Sequence, residues 1–290
     1  MTDAVRVIVA GACGRMGRTL VECAVQDGRF EVVGATERRD HASVGRPLSE
    51  VMGIATLEGV VLSAALGPLL ADADVVLEFT TPSASMADFE LATEYGKGIV
   101  IGTTGFSDEE LAEIQRGGDV ARCVLSPNMS RGMNVMFVLA GVLGSVLEDF
   151  DAEIVESHHR GKKDSPSGSA LQVARSLAAS RRVLLEDVAV YGRHGKELIR
   201  RQGEIGIHSV RAGETVGEHT LVLSGQGERF EITHRAASRR AFAAGALLAA
   251  EFVAKAEPGI YSMAQVLGLD ALSRAAAPHP GGTDLAGKAD

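Results

Sequence analysis

The sequence has few cysteine and aromatic residues and no long apolar run. Its 290 residues include no tryptophan and three cysteines, Cys13, Cys23 and Cys123, and only 4% of them are aromatic. The cysteines are odd in number and their spacing matches no metal site, which indicates reduced thiols in a cytoplasmic protein. No apolar run approaches about 20 residues, so no membrane-spanning helix is predicted. The run from Val5 to Ala10 is too short for a signal peptide and has no cationic start.

An excess of positive charge is also missing. The chain carries 29 lysine and arginine residues against 38 aspartate and glutamate residues, for a formal net charge of −9. Nucleic acids and anionic membranes bind basic surfaces, so neither is an expected partner. An acidic small molecule would have to be attracted by a local basic cluster. The length of the chain predicts two domains.

The apolar runs that are present alternate with helical segments in the first half of the chain. This alternation predicts βαβ units and an α/β fold with a Rossmann-like, doubly wound parallel sheet. After Asn128 the pattern changes to a long helix, a strand, a second helix and three strand-like segments between glycine turns. A second, α+β domain with a mixed or antiparallel sheet is therefore predicted. The strand-like runs of the first half cover residues 5–10, 31–36, 74–80, 98–102 and 122–125, and the helical segments cover 15–26, 83–95 and 108–115.

Three glycines lie between the first strand-like run and the first helical segment. Gly11, Gly14 and Gly17 have the spacing G-x-x-G-x-x-G. Glycines at such a turn let the backbone approach a pyrophosphate and present helix N-terminal N–H groups to it. A tight turn with close packing is the alternative, but the position between a strand and a helix favours a dinucleotide site.

The end of the second strand-like run carries groups that bear on cofactor choice. Glu37 lies twenty residues after Gly17, where a carboxylate reaches the adenosine ribose 2′-OH. Arg38 and Arg39 follow it, and they could accept a 2′-phosphate or lie in a solvated turn. Because Glu37 favours NADH and Arg38 favours NADPH, we expect both cofactors to be used.

Two later loops also follow strands. Residues 102–105 read Gly-Thr-Thr-Gly and residues 126–128 read Ser-Pro-Asn. Ligands of open α/β sheets bind outside the carboxyl ends of the strands, so both loops are candidates for cofactor contact. Ordinary turn chemistry explains the two loops equally well.

A run of cationic residues stands out in this acidic chain. Residues 158–164 read His-His-Arg-Gly-Lys-Lys-Asp and lead to Ser-Pro-Ser-Gly-Ser at 165–169, which opens a helix. Cationic side chains beside a helix N-terminus suit a ligand with two carboxylates, and histidine can transfer a proton near neutral pH. A solvated surface loop is the alternative. No metal site is predicted at His158 and His159, because adjacent strand residues point in opposite directions.

A second basic cluster lies near the start of the last long helix. It consists of Arg235, Arg239 and Arg240. These side chains could close over the same ligand or decorate the helix, and their spacing does not decide between the two.

Together these motifs resemble the dihydrodipicolinate reductase family, also called 4-hydroxy-tetrahydrodipicolinate reductases. The resemblance covers roughly residues 5–272, and the loop that begins at Glu156 is its most specific part. The segments that carry it are VAGACGRMGR at 9–18, FT at 79–80, VIGTTGF at 100–106, ESHHRGKKDSPSGSA at 156–170, RAGE at 211–214, GEH at 217–219 and ITHRA at 232–236.

The resemblance implies a reaction, a set of site residues and an assembly. NAD(P)H would reduce the dicarboxylate heterocycle derived from 4-hydroxy-tetrahydrodipicolinate to tetrahydrodipicolinate, on the route to diaminopimelate and lysine. His158 would donate the proton and Lys162 would assist, while His159, Gly168, Ser169 and Arg239 would bind the substrate. The second domain would build a homotetramer. The implied cofactor-binding residues are Gly11, Ala12, Cys13, Gly14, Arg15, Met16, Glu37, Arg38, Gly102, Thr103, Thr104, Ser126, Pro127, Asn128 and Met129.

The resemblance also implies domain limits. The dinucleotide-binding domain would comprise residues 1–129 and 240–272, and the substrate-binding and oligomerisation domain residues 130–239. The composition of residues 273–290 indicates a disordered tail. Two alternatives remain: another two-domain dehydrogenase of an amino-acid pathway, and a regulatory protein that senses NAD(P) without chemistry. The regulatory protein would need the glycine loop but not His158 or Lys162, so a turnover assay distinguishes it from an enzyme.

Overall fold

Two units make up the part of the chain that the computed structural model describes, residues 4–275. The first unit comprises residues 4–134 and 236–267, and the second comprises residues 135–235 and 268–275. The domain limits expected from the sequence stay a prediction. The predicted tail lies outside the described residues, apart from residues 273–275, which end the last helix.

The first unit is built on a seven-stranded sheet of short, mostly apolar and β-branched runs. All of its paired strands are parallel. The strands are β1 (Val5–Val9), β2 (Phe30–Thr36), β3 (Leu62–Ser63), β4 (Val75–Glu78), β5 (Gly98–Ile101), β6 (Arg122–Leu125) and β12 (Gly259–Tyr261). Their spatial order is β12-β6-β5-β4-β1-β2-β3. The order reverses between β1 and β4, and such a switch point is where doubly wound sheets bind ligands.

Helices connect these strands and cover the sheet. Three short 3-10 segments, Ala55–Leu57, Gly67–Asp72 and Gly117–Asp119, lie between them. The capping box of Ser107 and Glu110 fixes where the fourth helix begins. The helices are α1 (Arg15–Gln26), α2 (Leu48–Met52), α3 (Pro82–Glu94), α4 (Asp108–Arg116), α8 (Arg240–Val253) and α9 (Met263–Val266).

Two apolar cores form on the opposite faces of this sheet. On one face α1 and the alanine-rich α8 pack over β1, with Leu20 and Ala246 completely buried. On the other face α3 and α4 contribute Phe89 and Ile114, which pack against Ile99 of β5. Alanine and glycine let α8 approach closely: a Cβ at Gly245 would lie 1.7 Å from the carbonyl oxygen of Met129.

The second unit contains a five-stranded mixed sheet, as the glycine-separated strands predicted. Its spatial order is β11-β10-β7-β9-β8. β7 pairs antiparallel with β10 and parallel with β9, and β8 pairs parallel with β9. The strands are β7 (Asp151–His158), β8 (Ala189–Tyr191), β9 (Ile205–Arg211), β10 (Gly217–Ser224) and β11 (Arg229–Ala236). The remaining helices are α5 (Arg131–Val146), α6 (Gly168–Ser180), α7 (Leu185–Val188) and α10 (Asp270–Ala275).

The two faces of the second sheet differ. Burial alternates along β7 and β10, which puts Ile154 and Leu221 in the core while Val155 stays partly exposed. The helix α6 contributes Val173 and Leu177 to the covered face. The predicted class, a parallel doubly wound sheet with a second mixed-sheet domain, is confirmed. Within residues 4–275, no helix has the length and apolar character needed to cross a membrane.

Candidate active site

The glycine loop joins β1 to the N-terminus of α1. Gly11 has a φ of 63°, which favours glycine, and its carbonyl accepts a hydrogen bond of 2.9 Å from the Gly14 N–H. A Cβ at Gly17 would lie 2.2 Å from the same carbonyl oxygen. The helix can therefore start tightly against the turn only with glycine at this position. Gly14 caps α1 without a side chain, so no side-chain oxygen competes with an anionic ligand for the first helical N–H groups.

Glu37 contacts the glycine loop directly. Its Oε2 accepts a hydrogen bond of 3.0 Å from the Cys13 N–H, which holds the carboxylate beside the loop at the end of β2. Arg38 points away: its side chain is 71% exposed, and its Nε lies 3.4 Å from Asp40. The Glu37 carboxylate is therefore hydrogen-bonded to the glycine loop, whereas the Arg38 guanidinium lies at the surface.

The loop after β5 is held by buried hydroxyl groups. Thr103 is 6% exposed, and its Oγ1 accepts a hydrogen bond of 3.0 Å from the Thr80 N–H. A Cβ at Gly102 would lie 1.9 Å from the ring of Phe79, so a larger residue there would have to displace that ring. Thr104 is exposed and is free to face a ligand by its position.

The loop after β6 is fixed in a similar way. Ser126 Oγ donates to the Asn128 carbonyl oxygen at 2.9 Å, and Asn134 Nδ2 donates to the same oxygen at 2.8 Å. Met129 is buried in the core, so only its backbone can face a ligand, while Pro127 is exposed. All four segments lie at the carboxyl edge of one parallel sheet. Their glycine cradle and their single carboxylate fit a nicotinamide dinucleotide.

The second unit holds a buried ionic cluster at the end of β7. Glu156 is completely buried, and His158, two residues on, is 7% exposed on the same face of the strand. The Nδ1 of His158 lies 2.5 Å from Glu156 Oε2. Arg211, at the end of β9, donates to both carboxylate oxygens of Glu156 at 2.8 and 2.7 Å. Residues more than fifty positions apart thus meet because β7 and β9 pair in register, His158 opposite Arg211.

The charges of this cluster are set by burial and hydrogen bonding. Burial would raise the pKa of Glu156, but hydrogen bonds, first of all from Arg211 and then from His158, outweigh it and lower the pKa to about 2. Burial lowers the pKa of His158, against the opposing effect of Glu156. Glu156 is therefore ionised at neutral pH and accepts from Nδ1, which leaves Nε2 as the ring atom that can face a ligand.

A further histidine supports His158. The ring of His219, on β10, packs edge-to-face against that of His158 with the ring centroids 5.2 Å apart. Its Nε2 lies 3.1 Å from Ser167 Oγ, and Ser167 also donates its N–H to Glu156 at 3.1 Å. Burial, followed by the nearby His158, lowers the pKa of His219 to about 4, so the ring is neutral at physiological pH.

The cationic loop between β7 and α6 continues from this cluster. Lys162 Nζ forms an ion pair of 2.9 Å with Asp164, and the His159 N–H donates to the Thr215 carbonyl oxygen at 2.7 Å. Ser167 caps α6 by accepting from the Ala170 N–H, so Gly168 and Ser169 form its first turn, with the positive end of the helix dipole. The second unit therefore offers a histidine, a lysine and a helix N-terminus within one continuous segment.

The site residues predicted from the sequence fall in both units. His158, His159, Lys162, Gly168 and Ser169 lie in the second unit, whereas Arg239 precedes α8 in the first. Glu156, Arg211, Ser167 and His219 were not singled out, although all four belong to segments of the resemblance. Among residues 4–275, no group of three or more His, Cys, Asp or Glu side chains is arranged to hold a metal ion.

The chain is similar to known proteins over most of its length. The family described as dihydrodipicolinate reductase, N-terminus, matches residues 5–129, and the family described as dihydrodipicolinate reductase, C-terminus, matches residues 132–267. The 4-hydroxy-tetrahydrodipicolinate reductase of Aquifex aeolicus (strain VF5) is 47% identical over 268 residues, 91% of this chain and 99% of that protein. The enzyme of the same name from Syntrophus aciditrophicus (strain SB) is 43% identical over 264 residues, 91% of this chain and 98% of that protein.

Solved structures share the fold. A dipicolinate-bound dihydrodipicolinate reductase from Paenisporosarcina sp. TG-14 has a TM-score of 0.73 and 26% identity, and the match covers 89% of this chain and 97% of that one. An amine dehydrogenase from Mycobacterium smegmatis has a TM-score of 0.65 and 14% identity, over 90% of this chain and 96% of that one. The second likeness shows the fold alone.

Proposed function

The chain belongs to the dihydrodipicolinate reductase family, as its motifs predicted, and from that premise we propose that it reduces 4-hydroxy-tetrahydrodipicolinate to tetrahydrodipicolinate on the route to diaminopimelate and lysine. The predicted class, an oxidoreductase with a Rossmann-like domain, is confirmed. The observation that carries the proposal is the buried His158–Glu156–Arg211 cluster beside the cationic loop. A protein that only senses a nucleotide has no use for such a proton-transfer group.

Residues of the glycine loop, Glu37 and the loops after β5 and β6 would hold the cofactor. Bound there, a reduced nicotinamide supplies the hydride. The substrate dicarboxylate would bind in the second unit, with one carboxylate on the first turn of α6 at Gly168 and Ser169 and the other near Lys162 and His159. Lys162 would exchange its ion pair with Asp164 for the substrate carboxylate.

His158 acts as the proton donor in this scheme. Glu156 accepts from Nδ1 at 2.5 Å, which fixes the ring and orients Nε2 for the substrate. Because burial lowers the pKa of His158, the ring is mostly neutral before the substrate binds. Two substrate carboxylates nearby favour the charged imidazolium. The ring therefore takes up its proton together with the substrate and holds it at Nε2 for transfer.

A turnover assay tests the proposal. Purified protein should oxidise NADH when 4-hydroxy-tetrahydrodipicolinate is supplied, and His158→Ala should lower turnover by about 10²- to 10⁴-fold, the usual contribution of a general acid. Binding of NADH should persist, since the glycine loop belongs to the other unit. His194→Ala, which removes an exposed histidine of the second unit, is the matched control and should turn over normally. Wild-type turnover by His158→Ala would refute the assignment, and NADH binding without turnover by the wild type would favour the sensor.

The two-carboxylate site has a separate test. Pyridine-2,6-dicarboxylate should inhibit competitively with the substrate, and the monocarboxylate should inhibit far more weakly because one anion-binding group then has no partner. Equal inhibition by the two compounds would contradict a site for two carboxylates.

We further propose dual use of NADH and NADPH, a cytoplasmic location and a homotetramer. Dual use is supported by a carboxylate fixed at the glycine loop and a guanidinium exposed next to it. The tetramer is supported by the less covered face of the second sheet, where Val155 is 39% exposed and Val210 is 44% exposed. Apolar side chains exposed on an open sheet face are typical of association surfaces.

A further inference from the structure

Glu78 is a completely buried carboxylate that no step of the proposed reaction uses. It ends β4, whose other residues, Val75–Leu77, are buried and apolar. A buried carboxylate is unfavourable unless hydrogen bonds replace its lost hydration. Its partners therefore indicate what the group supports.

One carboxylate oxygen of Glu78 is occupied by the residues around it. Oε1 accepts hydrogen bonds from the Thr80 N–H at 2.9 Å and from the Thr80 hydroxyl, and it lies 3.0 Å from Ser85 Oγ. Thr80 in turn packs against the glycine loop: a Cβ on Gly11 would lie 2.7 Å from the Thr80 methyl carbon. Glu78 thus fixes a side chain that borders the loop between β1 and α1.

The same oxygen reaches the loop after β5. Ser85 Oγ lies 2.8 Å from Thr103 Oγ1, and the Thr80 N–H donates to Thr103 Oγ1 at 3.0 Å. Ser85 is completely buried, and Thr103 is nearly so. Glu78 is therefore linked, directly or through Thr80 and Ser85, to the glycine loop, the residues after β4 and the loop after β5. All three segments lie at the carboxyl edge of the sheet.

The other carboxylate oxygen of Glu78, Oε2, has no hydrogen-bond partner within residues 4–275. The carboxyl of Asp88, on α3, is near enough to Glu78 for the two groups to interact electrostatically. Burial, and then the nearby Glu78 carboxylate, raise the pKa of Asp88 to about 8. Asp88 is therefore mostly protonated at neutral pH and adds little negative charge beside Glu78.

We propose that Glu78 is a positioning residue of the cofactor site, which uses Thr80, Ser85 and Thr103 to hold the glycine loop and the loop after β5 in their binding geometry. The inference rests on the proposed binding of the cofactor by Gly102–Thr104. Supporting hydrogen bonds of this kind preorganise a site, so ligand binding does not have to order the loops. Glu78 itself need not touch the cofactor.

The test compares three variants by NADH binding and by steady-state kinetics. Glu78→Ala removes the acceptor of the Thr80 hydroxyl and leaves the Thr80 N–H and the Ser85 hydroxyl with Thr103 Oγ1 alone. The Michaelis constant and the dissociation constant for NADH should therefore rise about 5- to 30-fold. Inhibition by pyridine-2,6-dicarboxylate should stay within about twofold of wild type, because that site is in the other unit. Glu78→Gln should restore NADH binding, since its side-chain carbonyl still accepts from Thr80 and Ser85.

Ile114→Ala is the control for general destabilisation. It removes a completely buried side chain of α4 from the apolar core that α3 and α4 form against β5. It should lower the melting temperature and leave the Michaelis and dissociation constants for NADH unchanged. If Glu78→Ala does not fold, Ser85→Ala decides, because it deletes only the hydroxyl between Glu78 and Thr103 and should weaken NADH binding about 3- to 10-fold.

Each contrary outcome overturns the inference. NADH constants within twofold of wild type in Glu78→Ala or Ser85→Ala, an equal loss in Ile114→Ala, or a Glu78→Gln variant as weak as Glu78→Ala would each exclude positioning by this network. The proposed function fails separately: a wild-type protein that binds NADH but does not oxidise it would refute the reaction, while the binding measurements would still decide the role of Glu78.

Discussion

Two carboxyl groups of this fold have pKa values that are shifted in opposite directions. Glu156 is completely buried and Asp88 is partly buried, yet the pKa of Glu156 falls to about 2 and that of Asp88 rises to about 8. Burial raises both pKa values. Arg211 and His158 donate to Glu156 and reverse the effect, whereas Asp88 meets a second carboxylate, which adds to it.

The protonation of His158 gives a pH prediction. Burial lowers the pKa of His158 below its usual value near 6.5. A general acid is active when protonated, so kcat/KM, which reports the free enzyme, should fall as pH rises through that lowered pKa. In the enzyme–substrate complex the substrate carboxylates raise the pKa, so the decline of kcat should lie at higher pH. Coincident declines, or a decline that persists in His158→Ala, would contradict the assignment.

Arg38 gives a prediction on cofactor choice. Removal of its exposed guanidinium in Arg38→Ala should raise the Michaelis constant for NADPH about 5- to 30-fold, because solvent weakens a charge-assisted hydrogen bond at an exposed site. The constant for NADH should hardly change, because that cofactor has no 2′-phosphate. Arg39→Ala, which removes the next exposed charge, is the control. Steady-state kinetics with both cofactors decide it, and equal losses for both would put Arg38 away from the 2′ position.

Candidate groups in a run of like charge could be singled out from the sequence, whereas those in apolar strands could not. His158 and Lys162 stood out because they belong to a cationic run in a chain of net charge −9. Glu78 was hidden in a run interpreted as an apolar strand. Its partner Thr103 is 25 positions away, and the partner of Glu156 is 55 positions away. Pairings of this kind depend on strand order and register, which local patterns do not specify.

At the scale of elements, strong periodicity predicted most of the long helices and strands within one or two residues, but α5 begins at Arg131, three residues before the predicted Asn134. α1 was predicted with the bounds found, Arg15–Gln26. The five-residue α2, the two-residue β3 and the three-residue β8 and β12 were not predicted. Elements this short present fewer than two periods of a helical or alternating pattern, and the three strands form because longer neighbouring strands provide an edge to pair with.

The start of α1 gives a prediction at this scale. A Cβ at Gly17 would lie 2.2 Å from a backbone oxygen, which cannot move without displacing the loop. Gly17→Ala should therefore destabilise the protein by about 1–3 kcal/mol or more and weaken NADH binding. Gly28→Ala is the matched control: a Cβ there meets nothing within 4 Å, so stability should change by no more than about 1 kcal/mol, in the stabilising direction. Thermal melts with NADH titration check both, and a Gly17→Ala variant that melts like Gly28→Ala would contradict the packing argument.

At the scale of the whole molecule, the proposed homotetramer can be tested on the second sheet. Charge at Val155 or Val210 in Val155→Lys or Val210→Lys should lower the assembly state, because a buried unpaired charge at an interface costs several kcal/mol. Val120→Lys, at a 66% exposed valine of the first unit, should leave the assembly intact. Analytical ultracentrifugation measures the outcome. A wild-type monomer, or charged variants that remain tetrameric, would refute this interface.

The path of the chain through the first unit affects how the protein is made. α8 and β12 belong to that unit but are encoded after residue 235, where the second unit's continuous segment ends. The first segment of the first unit ends at residue 134, so residues 135–267 must be added before that unit is complete. Ribosomes add about 5–20 residues per second, so these 133 residues take about 7–27 s. During this interval β6 lacks its neighbour β12 and the apolar face of α1 lacks α8. The part of the first unit that is synthesised first therefore stays incomplete until residues 236–267 are added. We expect it to depend more on chaperones than the second unit until translation ends.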